Sequence, residues 1–203
     1  MMAADTDTPF LNDLAEGDLP AHLRVPRLAA ALQSMGFCLI PLRPESLQPA
    51  CPWSEFQTRH PSPARLADWV GWARYRGDFC FGLVTGAVSD LVVVDVPEGD
   101  TWADQHLPYT SFQVMTPRGW QRYFRHPGGR VRTRTLAPGV VLHGDESFVP
   151  APGCPAPGGG RHLPDMWWRT DRWSTAPVLR LPDLGEPCPE PTASGATRDG
   201  GAL

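Results

Sequence analysis

The sequence predicts an α+β fold in which two helices precede a mainly antiparallel sheet. Apolar residues recur at helical spacing twice in the first third of the chain, whereas short β-rich runs separated by Gly/Pro turns follow from Cys80 onward. The length of 203 residues and the 41% hydrophobic content fit one domain with a hydrophobic core. Helices followed by a run of strands are typical of the α+β class.

The first helix is predicted from the spacing of its apolar residues. These are Val25, Leu28, Leu32 and Met35. Pro26 suits the first turn of a helix and Gly36 suits its end, so we expect the helix to begin close to Pro26. The apolar run over residues 37–42 predicts a buried strand, and the prolines in residues 44–61 predict a loop.

The second helix is predicted to begin at Ser62 and Pro63, a favourable N-cap followed by a favourable first residue. Its apolar face comprises Leu66, Trp69, Val70 and Ala73. Three pairs of strands are then predicted, with a turn inside each pair. The pairs are residues 80–85 with 91–96, 112–115 with 121–125, and 140–143 with 148–151.

Composition divides the chain into a disordered leader over residues 1–20, a folded domain over residues 21–180 and a disordered tail over residues 181–203. Residues 150–164 are a loop rich in Pro and Gly. The tryptophans that follow the loop are expected to fill the core. These are Trp167, Trp168 and Trp173.

Charge is distributed unevenly along the chain. The net charge of −4 argues against a protein that coats nucleic acid over its whole surface. All eighteen basic residues are arginine. Residues 105–144 contain six arginines and no carboxylate. This segment is a candidate anion-binding site, and a solvated arginine-rich hairpin is the alternative.

The five cysteines include no CxxC pair. Residues 1–20 are polar and acidic and contain no apolar segment typical of a secretion signal, which predicts a cytoplasmic protein with reduced thiols. Wide spacing disfavours a zinc site, and the pair Cys51 and His60 stays open as half of one. No apolar run approaches the ~18 residues of a membrane span, so no membrane partner is expected.

Several short segments, taken in order, are similar to a known family. They are residues 36–44 (GFCLIPLRP), 81–86 (FGLVTG), 89–96 (SDLVVVDV), 116–119 (TPRG), 123–124 (YF), 136–140 (LAPGV), 144–145 (GD) and 149–152 (VPAP). Their order and spacing resemble the Prim-Pol domain of bacterial bifunctional DNA primase/polymerases, within the archaeo-eukaryotic primase superfamily. The resemblance covers about residues 24–174 and implies a metal-dependent nucleotidyltransferase fold.

The resemblance also implies a set of site residues. Nucleotidyl transfer uses two divalent cations about 3.5–4 Å apart, Mg²⁺ or Mn²⁺ in this family, held by converging carboxylates. The family supplies Asp-x-Asp at the end of a strand, a histidine that contacts the nucleotide phosphates, and a third Asp on a later strand. Here Asp95 matches the first carboxylate, whereas Pro97, Gln121 and Val141 occupy the other three positions. The resemblance therefore implies a divergent, catalytically impaired member.

Replacement ligands could come from nearby acidic residues. The candidates are Glu98, Asp100, Asp145 and Glu146. A single cation held by Asp95 and Glu98 is the simpler arrangement, because Mg²⁺ often uses one or two carboxylates and substrate phosphates. His143 is interpreted as a residue on a strand face, not a ligand, and Trp120 as a packing residue.

The hairpin arginines are candidate contacts to nucleotide or nucleic-acid phosphates, together with Gln121. If they serve that role, Arg118, Arg122 and Arg125 should converge in one groove beside Asp95. Three functions stay open: an impaired Prim-Pol-like domain that binds nucleotide or nucleic acid, an active DNA primase/polymerase with displaced metal ligands, and a protein-interaction module. The expected partners are DNA, a nucleotide, or a protein of replication or of a mobile element.

Overall fold

The computed structural model describes residues 11–16, 19–77, 80–165 and 168–180. The helices within these ranges are α1 (Leu11–Glu16), α2 (Ala21–Ser34), α3 (Pro63–Arg76) and α4 (Trp102–His106). The first five strands are β1 (Cys38–Pro41), β2 (Phe81–Val84), β3 (Val92–Pro97), β4 (Gln113–Thr116) and β5 (Gly119–Phe124). The later strands are β6 (Arg134–Ala137), β7 (Val140–His143), β8 (Phe148–Pro150) and β9 (Leu163–Pro164).

The strands form two sheets. One has six strands in the order β6-β7-β3-β5-β4-β9, and the other has three in the order β1-β2-β8. Every strand pairing within these two sheets is antiparallel. The predicted α+β class with a mainly antiparallel sheet is confirmed.

Two of the three predicted strand pairs do not form hairpins, because their strands enter different sheets. β2 lies in the three-stranded sheet and β3 in the six-stranded one, with a 3₁₀ turn at Ala87–Ser89 between them. Ser89 fixes this crossing, since its hydroxyl donates to the Val84 carbonyl at 2.6 Å and accepts from the Cys38 amide at 2.9 Å. β7 and β8 are divided between the sheets in the same way, whereas β4 and β5 form the predicted hairpin.

The helix predicted at Pro26 begins five residues earlier, at Ala21, so that Pro26 lies inside α2. Apolar spacing located the helix, but the proline misplaced its start. α3 begins as predicted, with the Ser62 hydroxyl accepting from the Arg65 amide at 3.2 Å. It ends at Gly77, whose φ of 82° is the left-handed conformation that favours glycine at this position.

The predicted disordered leader contains a helix. Residues 11–16 form α1, and its Leu11 and Leu14 are buried against the rest of the domain. These two leucines provide the apolar contacts that dock the segment. Residues 1–10, 17 and 18 of the leader, the predicted tail over 181–203, and Trp167 lie outside the described residues.

The largest hydrophobic cluster joins α1, α2 and α3 to both sheets. Trp168 and Trp173 lie in it as predicted, and the Trp168 ring packs edge-on against Tyr123 of β5 with the ring centroids 4.9 Å apart. A second cluster covers the opposite face of the six-stranded sheet and includes Ala103 of α4. Both faces of β3 are therefore supported by packed layers. No helix in the described ranges combines the length and hydrophobicity needed to cross a membrane.

Candidate functional site

Asp95 lies on β3, between two strands that carry the other positions singled out in the sequence. In the strand register it is opposite Gln121 of β5 on one side and opposite Val141 of β7 on the other. Residues directly opposite one another in an antiparallel pair have side chains on the same face. The three positions that the family resemblance singled out therefore lie on adjacent strands of one sheet, with their side chains on one face.

The residues at the three altered positions pack rather than present ligands. Pro97 lies so close to Gly139 that a Cβ on the glycine would be 2.7 Å from the proline Cγ. Gln121 is buried, and its Oε1 accepts a hydrogen bond from the Tyr123 hydroxyl at 3.2 Å. Val141 presents an aliphatic side chain opposite Asp95. The side chains of Pro97 and Gln121 therefore contact neighbouring residues of the domain.

His143 pairs with Asp95, a contact that the sequence analysis missed. The His143 Nε2 lies 3.0 Å from Asp95 Oδ2, and its Nδ1 lies 3.1 Å from the Ser147 hydroxyl. A neutral ring can donate from Nε2 to the carboxylate while Nδ1 accepts from Ser147. The available signal was spacing: His143 is two residues from Val141 on one strand and therefore shares its face.

The surroundings of Asp95 do not fit a two-cation centre. Its Oδ1 is buried without a hydrogen-bond partner and could accept one ligand, but Oδ2 is engaged with His143. Glu98 is exposed in the turn after β3. Within the described ranges, no three His, Cys, Asp or Glu side chains are grouped so as to hold a metal ion, and this includes the neighbourhood of Cys51 and His60.

The other acidic candidates, Asp100, Asp145 and Glu146, have local structural contacts. Asp145 accepts from the Ala87 amide at 3.0 Å and from the Val131 amide at 2.6 Å, one bond to each carboxylate oxygen. Asp100 accepts from the backbone amide of Trp102 at 2.7 Å. Glu146 pairs with Arg130 at 3.1 Å. The Asp145 carboxylate in particular ties the crossing between the sheets.

The predicted convergence of three hairpin arginines beside Asp95 is wrong. Arg118 is exposed in the β4–β5 turn, where its carbonyl accepts from the Glu98 amide. Arg122 belongs to the opposite face of β5 from Gln121 and pairs with Asp104. Arg125 follows β5 at its other end, and its Nε is 2.7 Å from Asp90. Because β5 separates Arg118 from Arg125, the two are about 20 Å apart along the strand.

The charge of Asp95 contributes to the pKa shifts of two further buried side chains, Tyr123 and His162. Burial raises the pKa of the Tyr123 phenol, and the charge of Asp95 adds to the rise, so Tyr123 stays a neutral donor to Gln121. Burial lowers the pKa of His162, whose Nδ1 contacts the Cys154 carbonyl at 3.0 Å. The charges of Asp95 and Arg118 act on His162 in opposite directions. No periodicity marks His162, since it lies within the Pro/Gly loop.

These observations describe an α+β domain in which the Asp95–His143 pair lies on two inner strands, β3 and β7, of an antiparallel sheet. The family described as bifunctional DNA primase/polymerase, N-terminal (Prim-Pol) matches residues 28–184 of the chain. The chain therefore belongs to the Prim-Pol family. A comparison with curated proteins found no match to the sequence.

Proposed function

We propose that this chain is a catalytically impaired Prim-Pol domain that binds nucleotide or nucleic acid without efficient polymerisation. The proposal includes a cytoplasmic location and a role beside a replication or mobile-element protein. Mg²⁺ or Mn²⁺ is a cofactor only under the alternative in which displaced ligands sustain activity. Of the sequence-predicted contacts, Arg118 is the one that is exposed at the Asp95 end of the β4–β5 hairpin, so binding there would draw on Arg118.

The observation that carries the proposal is the register around Asp95. Its two cross-strand neighbours are an amide and an aliphatic side chain, and Pro97 follows on the same face. Two cations beside a triphosphate need several converging carboxylates, because each carboxylate offsets part of the cation charge at short range. Asp95 alone supplies one, and His143 already occupies one of its oxygens.

The test is primer extension on a DNA template with Mg²⁺ and with Mn²⁺, beside an intact Prim-Pol domain as the positive control. We expect no template-dependent product from this chain. Metal-dependent product that disappears in Asp95→Ala would overturn the proposal in favour of an active enzyme with displaced ligands. Absence of both product and nucleotide or nucleic-acid binding would favour the protein-interaction module.

A further inference from the structure

Ser147, His143 and Asp95 form a continuous chain of hydrogen bonds, which we call the serine relay. The Ser147 hydroxyl lies 3.1 Å from His143 Nδ1, and His143 Nε2 lies 3.0 Å from Asp95 Oδ2. An ionised carboxylate can only accept, so Nε2 carries the ring proton and Nδ1 of the neutral ring accepts from the serine hydroxyl. A serine that faces the unprotonated nitrogen of a histidine, itself oriented by a third group, is the arrangement of an activated nucleophile.

The fold does not require the Ser147 side chain. The chain crosses from one sheet to the other at this residue, and the backbone carbonyl of Ser147 holds the crossing by accepting from the Thr85 amide at 2.9 Å. Asp145 secures the same crossing through two further backbone amides. The serine hydroxyl takes part in neither set of contacts, and its hydrogen bond to His143 therefore has no evident role in folding.

The backbone beside Ser147 is strained and leaves two donors free. Glu146 has a φ of 59°, a left-handed conformation that residues other than glycine rarely adopt and that is concentrated at functional sites. The backbone amides of Glu146 and Ser147 donate no hydrogen bond to any residue in the described ranges. Backbone amides next to a nucleophile can stabilise the negative oxygen that develops during acyl transfer.

The serine relay is accessible to a small molecule. The side chains of Asp95 and His143 are 29% and 19% exposed, and Ser147 is half-buried. Val141 lies two residues before His143 on β7, so its half-buried aliphatic side chain is on the same face of the strand. An aliphatic neighbour suits a small uncharged acyl group better than a charged one, because a charge beside it would lose hydration without gaining a partner.

We propose that Ser147 is the nucleophile of an acyl-transfer site that hydrolyses small uncharged carboxylic esters. Ser147 Oγ attacks the acyl carbon as its proton passes to His143 Nδ1, and the carbonyl electron pair moves onto oxygen. The bond from the acyl carbon to the leaving alkoxide then breaks, and the alkoxide takes the proton from His143. Water attacks the acyl-serine in the same way, so that ester and water give acid and alcohol. Asp95 is a positioning residue, since it orients the ring and stabilises its protonated form.

The imidazole ring is inverted relative to that of the serine proteases. In those enzymes the carboxylate contacts Nδ1 and the serine contacts Nε2, whereas here the two nitrogens are exchanged. Proton transfer requires only that the nitrogen facing the hydroxyl lacks a proton, and the hydrogen bond at the other nitrogen sets this condition. The inverted ring is therefore compatible with the same chemistry.

The first experiment treats the full chain with a fluorophosphonate probe, which reacts covalently with activated serines, and locates the adduct by peptide mass spectrometry. We expect the label on Ser147 and none on this peptide in Ser147→Ala. His143→Gln should slow labelling about 100-fold or more, because general-base assistance contributes about 10²- to 10⁴-fold. The matched controls Ser46→Ala and His106→Gln change another exposed serine and another exposed histidine, and should be labelled at Ser147 within about twofold of the wild-type rate.

The second experiment measures the hydrolysis of p-nitrophenyl acetate. Ser147→Ala and His143→Gln should each lower kcat/KM about 100-fold or more. Asp95→Asn should lower kcat and leave KM unchanged, because Asp95 acts on the ring and not on the substrate, whereas a merely structural role would lower the folded fraction that circular dichroism reports. Ser147→Cys keeps a nucleophile at the same position and should retain a burst of p-nitrophenol from acylation.

Several results would overturn the inference. They are labelling spread over several exposed serines, no labelling of the folded wild-type chain, and hydrolysis that is unchanged in Ser147→Ala. The site is independent of the nucleotide or nucleic-acid binding proposed above, and neither experiment uses such a ligand. Failure here therefore leaves the proposed function standing, and failure of nucleotide or nucleic-acid binding leaves the acyl-transfer site standing.

Discussion

The site around Asp95 and the solvent-facing side of α3 differ in how far their large or polar side chains are buried. Around Asp95, the residues in place of family ligands contact their neighbours: Pro97 packs on Gly139, and Gln121 bonds to Tyr123. On α3, Trp72 and Tyr75 leave most of their surface in water. Side chains in the first region are packed against their neighbours, whereas Trp72 and Tyr75 in the second are not. Function is therefore expected where folding gives no reason for the residue.

The largest expected effect compares one residue type in the two regions. Tyr123→Ala should lower the free energy of unfolding by about 3–5 kcal/mol, because it removes a fully buried ring from the core. Tyr75→Ala should change it by less than about 0.5 kcal/mol. Denaturant unfolding measures both. Equal losses would show that Tyr75 has a packing role and would break the comparison.

The second prediction restores carboxylates at the altered positions. Pro97→Asp/Val141→Asp should tighten Mn²⁺ binding about tenfold, or by about 1.4 kcal/mol, because three carboxylates would then converge on one face. Without metal the variant should be less stable than the wild type, since like charges repel at short range. Isothermal titration and thermal unfolding with and without EDTA measure the two effects.

A matched control places the same substitutions elsewhere. Pro177→Asp/Val178→Asp adds two carboxylates of identical type beside Arg125, away from Asp95. It should leave Mn²⁺ affinity unchanged. Tightening in the control equal to that in the Pro97/Val141 variant would mean that net charge, not geometry, governs the effect.

The third prediction concerns the contact that the sequence analysis missed. A double-mutant cycle with Asp95→Asn and His143→Gln should give a coupling energy of about 1 kcal/mol, because both side chains are largely buried. The same cycle on the exposed Arg130–Glu146 pair, with Arg130→Gln and Glu146→Gln, should give less than about 0.5 kcal/mol. A coupling near zero for Asp95–His143 would show that the contact does not hold Asp95 in place.

The sequence predicted most of the fold because periodic burial governs it. The spacing of Leu28 and Leu32 located α2, and Ser62 located the start of α3. The family resemblance, not periodicity, associated Gln121 with Asp95, and the two residues lie opposite each other on β5 and β3. The division into two sheets could not be predicted in this way. Strand periodicity identifies β2 and β3 but carries no information about which strands they pair with.

For the candidate site, the sequence predicted which residues occupy the family's positions but not the contacts that their side chains make. The family resemblance assigned Val141 to the third carboxylate position, and Val141 lies opposite Asp95 in the strand register. The His143 contact depends on side-chain direction, and the fate of the three arginines depends on which face and which end of β5 each occupies. A cluster of arginines in sequence becomes a cluster in space only when the strand geometry permits it.

The smallest expected effect is a pH dependence at His162, which connects the buried part of the Asp95 site to stability. Burial holds the pKa of His162 below its ordinary value of 6.5, and Arg118 adds to the lowering while Asp95 and the Cys154 carbonyl oppose it. The unfolded chain therefore binds the proton more readily than the folded one. Stability due to the neutral ring is present above pH 6.5 and is lost as the pH falls toward the folded pKa.

In His162→Asn the free energy of unfolding should decline less between about pH 7 and pH 5 than in the wild type. The control His22→Asn, at an exposed position, should decline as the wild type does. A decline in His162→Asn identical to that of the wild type would show that His162 does not contribute to acid sensitivity, and that the Asp95 site is not coupled to folding through this ring.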